Sequence, residues 1–102
     1  MDNLQQSLQR TIRALETLSE KNLPQGDRVD ELLDQLFQQK IDLANINHNT
    51  AAPTYQQAAQ ALGQAASRAE KAAKDPAQLK DALPAVTDAI GKLAKLLNQV
   101  LT

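Results

Sequence analysis

The stretch QALGQAASRAEKAAKD, Gln60–Asp75, decides the fold. Its apolar residues are nearly all alanine, the residue with the best helix propensity and no rotamer entropy to lose. At about 100° per residue, Tyr55, Ala58, Ala59, Leu62, Ala65, Ala66, Ala69, Ala72 and Ala73 share one face of a helix. Gln56, Gln60, Gln64, Ser67, Lys71 and Lys74 occupy the other. This segment therefore offers methyl groups where its sister segments offer leucine. Of 16 leucines in the chain, only Leu62 lies in it.

Three similar segments surround it, separated by turn signals. These are NLPQGD (Asn22–Asp27), NINHNTAAPT (Asn45–Thr54) and KDPAQ (Lys74–Gln78). Segment one aligns Leu4, Leu8, Ile12, Leu15 and Leu18, with Thr11 and Ala14 at the flank and Asp2 with Gln5 as a capping pair. Segment two aligns Val29, Leu32, Leu33, Leu36, Phe37, Leu43 and Ala44, with Asp27 as its N-cap. Pro53 in the first turn, or Thr54 with Gln57, starts segment three. Segment four aligns Leu79, Leu83, Val86, Ile90, Leu93, Leu97, Val100 and Leu101. Asp75 caps it, Pro76 takes the first position, and Gln78 completes the pair.

Pro84 falls inside segment four, where it removes a hydrogen bond. The helix either breaks near Asp81–Pro84 or runs on with a kink. The stripe keeps its phase from Leu79 to Leu101 with Pro84 on the polar side, which favours one continuous helix. No period-two run of β-branched and aromatic residues suggests a strand. Four stripes joined by short connections predict an all-α, antiparallel up-down-up-down four-helix bundle, one domain over residues 1–102. Small side chains on segment three let it approach neighbours whose leucines fill the shared volume. The rival reading is a shallow apolar face kept for a partner helix.

Composition narrows the function. The 102 residues carry 42 % hydrophobic residues, 2 % aromatic residues and a net charge of −1. That balance argues against charge-driven disorder and against a phosphate-neutralising nucleic-acid binder. Phe37 and Tyr55 are the only aromatic residues, too few for base-stacking platforms. Residues 1–52 carry −3 and residues 53–102 carry +2. There is no cysteine, so disulfides and thiolate metal sites are excluded. No leader pattern and no long apolar run is visible, so a soluble, cytoplasmic protein is expected.

Chemistry-bearing residues are sparse. His48, the only histidine, sits in the asparagine-rich turn and reads as a surface residue. Lys40 projects onto the apolar face of segment two, between Leu36, Phe37, Leu43 and Ala44. There it acts as a desolvated base, snorkels its ammonium into water, or fixes helix register. Asp27, Asp30, Glu31 and Asp34 lie at helical spacing rather than the alternating spacing of a calcium loop. Arg68, Lys71, Lys74, Lys80, Lys92 and Lys95 make a basic side on segments three and four. Gly63 and Gly91 are isolated helical glycines outside any phosphate loop.

No catalytic residues, cofactor, metal, nucleic acid or membrane is expected. The expected role is a non-catalytic adaptor, regulator or inhibitor that contacts another protein through a helix face. Two faces are candidates: the acidic side with Asp27, Asp30, Glu31 and Asp34, and the alanine side with Ala58, Ala65, Ala69 and Ala72. The alternative is a homo-oligomer, such as a dimer, whose bundle is completed by a second copy. A nucleic-acid mimic would need more negative charge than −1.

Overall fold

The computed structural model describes residues 3–45 and 53–101. Four helices follow one another: α1 (Leu4–Ser19), α2 (Gly26–Ala44), α3 (Pro53–Lys74) and α4 (Leu79–Leu101). A single 3₁₀ turn, Pro76–Gln78, precedes α4. The fold is an all-α four-helix bundle.

Caps and turns show where local chemistry decides. Asn3 accepts from the Gln6 backbone N–H at 2.8 Å, and Gln6 Oε1 accepts from the Asn3 N–H at 3.0 Å. This capping box starts α1 one residue later than the Asp2–Gln5 pair expected from sequence, and Asp2 lies outside the described residues. The expected Asp27 cap is also corrected. α2 begins at Gly26, so Asp27 is already helical and contributes only its charge near the positive end of the dipole. In the α1–α2 turn the left-handed residue is Asn22, at φ 54°, which asparagine tolerates well. Asp75 does cap the last connection: it accepts from the Ala77 N–H at 3.3 Å, with Pro76 at the first position. Pro53 opens α3, and α4 runs unbroken through Pro84.

Cross-helix pairs give direction and neighbours. Ser19 donates to Asp30, and Lys40 donates to Gln9, so α1 and α2 are antiparallel. Ser7 sits beside Gly63 and Arg10 beside Glu70, so α1 and α3 run the same way. Arg28 reaches Thr87 and Gln39 reaches Ile90, so α2 and α4 also run the same way. Around the bundle the order is α1–α2–α4–α3. Direction alternates along the chain, as expected, but not around the bundle: α1 and α3 are parallel neighbours, as are α2 and α4, because α2 and α3, consecutive in sequence, lie on a diagonal rather than side by side.

The alanine helix lies at the tightest part. α3 packs most closely, against both α1 and α4. Ala58, Ala65, Ala66, Ala69 and Ala72 are 0 % exposed. Small residues on the neighbours match them: Ser7, Thr11 and Ala14 on α1, and Ala82 and Ala89 on α4, are all buried. Thr11 donates its hydroxyl to the Ser7 carbonyl at 2.8 Å, so its polar group does not compete for a partner. Leucines from α1, α2 and α4 fill the remaining centre as one continuous core. Close approach here rests on small residues facing small residues, as well as on leucine filling the space beside alanine.

Candidate functional site

A solvent-open groove of about 1270 Å³ runs along α1 and α3. Its polar lining includes Asn3, Ser7, Gln56, Gln60, Gln64 and Ser67, with Gly63 between them and Arg68, Lys71, Gln78 and Asp81 beside them. Arg10 at its edge is held by Glu70 in a two-point fork, Nε to Oε2 at 3.2 Å and Nη2 to Oε1 at 2.5 Å. Amides and hydroxyls share the lining with the charged groups of Arg68, Lys71 and Asp81. Among the described residues no group of three or more His, Cys, Asp or Glu is placed to hold a metal ion. His48 lies outside the described residues. Among those residues, no helix is long and apolar enough to cross a membrane.

Lys40 lies at the surface. It is exposed, and its Nζ donates to Gln9 Oε1 at 2.7 Å. Two of the residues expected to surround it, Phe37 and Ala44, are exposed as well. The buried arc of α2 is Val29, Leu32, Leu33, Leu36, Gln39 and Leu43. The polar group on the apolar face is therefore Gln39, one residue before Lys40. α2 leans on both α1 and α4, and that rotates its buried arc towards Gln39.

The two candidate surfaces separate cleanly. Ala58, Ala65, Ala69 and Ala72 are buried inside the bundle, so the alanine side presents nothing to a partner while the bundle is folded. Asp27, Asp30, Glu31 and Asp34 are all exposed. Glu31 pairs with Arg28 at 3.0 Å, and Asp30 accepts from Ser19. A feature the sequence reading missed adjoins them. Phe37 is 41 % exposed and Ile41 is 57 % exposed, the exposed large hydrophobic residues among those described. Periodicity alone puts Phe37 in the core stripe and Ile41 on no particular face. Their four-residue separation stacks them on one side of α2, which is the signal that could have found them.

Comparison with protein-family models, with curated proteins and with solved structures finds no match to this chain.

Proposed function

We propose that the chain is a small, non-catalytic interaction module of the cytoplasm. It docks a partner protein, not nucleic acid or membrane, on the outward face of α2. Phe37 and Ile41 carry this reading: two large apolar side chains left in water on one helix face, edged by exposed Asp30 and Asp34. Leaving such groups exposed forgoes burial that stabilises by roughly 25 cal/mol per Å², and an external partner recovers it. The burial pattern favours this module over a bundle completed by a second copy. The leucines and isoleucine of α1, Ala58, Ala65, Ala69, Ala72 and Leu62 of α3, and Val29, Leu32, Leu33, Leu36 and Leu43 of α2 join Leu79, Val86, Ile90, Leu93 and Leu97 of α4 in one core within a single chain.

The test is site-specific photo-crosslinking in the producing cell. A crosslinker at Phe37 should give one discrete protein adduct, absent when Ile41→Asp is added. A crosslinker at Gln60, on the groove side, should give none. Equal adducts from both positions, or none from Phe37, would refute the reading.

A further inference from the structure

On the same α2 face, and resting on the docking reading above, Asp30, Asp34, Phe37, Ile41 and Ala44 follow one another at steps of four, three, four and three residues. That is the spacing at which a second helix lays a seam of side chains along the first. All five side chains are exposed. The seam is also polar at one end and apolar at the other: two aspartates in the first half of α2, then Phe37, Ile41 and Ala44.

We infer that the occupant is a single amphipathic helix, running antiparallel to α2, apolar in its first half and basic in its second. Charge sets the pattern. The aspartates need cations opposite them, while Phe37 and Ile41 need apolar side chains. Dipoles set the direction. A helix favours Lys and Arg near its C-terminus, and only an antiparallel partner brings that end beside Asp30 and Asp34. The antiparallel pairing also sets the two macrodipoles against each other favourably.

A second copy of this chain fits less well. Turned antiparallel about Phe37 and Ile41, it sets Ala44 opposite Asp34 where a cation is wanted. Turned parallel, it sets each aspartate against its twin.

Three synthetic 21-residue helical peptides test this against the intact protein. The first carries leucine at the seam positions of its first half and lysine at those of its second. The second reverses that order. The third replaces lysine by glutamate. Fluorescence anisotropy measures affinity, and amide chemical shifts locate the site. The first peptide should bind about tenfold tighter than either control, with shifts confined to the outer face of α2 and its rim on α1. Asp30→Asn with Asp34→Asn, both exposed, should weaken it about threefold to tenfold and flatten its salt dependence. Ile41→Asp should abolish binding while the helical circular dichroism is retained.

Equal binding of all three peptides, no binding, or shifts on the α1–α3 groove would overturn the inference. Concentration-dependent shifts of α2 without peptide would assign the seam to a second copy and overturn it too. A crosslinked partner at Phe37 together with failure of the peptides would leave the module standing and remove only the basic helix.

Discussion

The side-chain amide of Gln39 on α2 donates to the backbone carbonyl oxygen of Ile90 on α4 at 2.9 Å. Gln39 is 8 % exposed, and its Oε1 has no hydrogen-bond partner among the described residues. One good bond is thus offset by one orphaned acceptor. Gln39→Leu gives up a bond worth about 1 kcal/mol but also removes the buried, unsatisfied oxygen. It is expected to be neutral or stabilising by up to about 1.5 kcal/mol, whereas Gln39→Ala costs roughly 1–2 kcal/mol. Urea unfolding of both variants checks this; a large loss in the leucine variant would mean the amide is essential to α2–α4 packing.

Two glycines weaken helices without a packing reason. A Cβ at Gly63 would meet only Ser7 Oγ, at 4.0 Å, and one at Gly91 would meet nothing within 4 Å. Neither has a positive φ. Gly63→Ala and Gly91→Ala should therefore each stabilise the protein by about 0.5–1 kcal/mol. The midpoint of urea unfolding should rise in both variants.

Size matters more than hydrophobicity along α3. Ala69 and Leu62 are both 0 % exposed. Ala69→Leu adds three carbons where helices lie closest and should cost about 1–3 kcal/mol or more, despite being more apolar. Leu62→Ala removes the one leucine of this helix and should cost about 3–5 kcal/mol. Equal stability of Ala69→Leu and wild type, by thermal or urea unfolding, would contradict the close packing of α3.

Pro84 is exposed and sits at the sixth position of unbroken α4. Its missing N–H leaves one carbonyl, that of Lys80, without its helical donor, and its ring crowds that turn. Pro84→Ala should stabilise the protein by roughly 1–3 kcal/mol and leave the fold unchanged. Reduced stability would show that the proline ring contributes contacts beyond α4 itself.

Much of the bundle was legible in residue order. Leu4, Leu8, Ile12, Leu15 and Leu18 are buried as their spacing demands, and Leu62 stands in its predicted stripe. Periodicity is a local property, so it survives any arrangement of helices. Caps were legible only approximately. Asn3 with Gln6 competes with Asp2 and Gln5 one residue earlier, and the two pairs have the same chemistry.

The candidate site was half legible. That Asp27, Asp30, Glu31 and Asp34 of α2 are exposed was legible, because charge at helical spacing reads directly as a solvated face. Phe37 and Ile41 were not, because hydrophobicity alone cannot tell a core residue from one left in water.

Residue order by itself determined four amphipathic helices, their rough ends, alternating direction, and an alanine helix suited to close approach. These follow from backbone hydrogen bonding, proline and glycine chemistry, and the 3.6-residue repeat. Tertiary structure alone decided that α2 and α3 lie on a diagonal and that α3 is gripped between α1 and α4. It also decided that α2 turns Gln39 inward and leaves Phe37 and Ile41 outside. A wheel gives the width of an apolar face, but which edge of it is covered depends on which helices stand beside it. That choice is made by packing between distant segments, where burial of one large side chain decides against another.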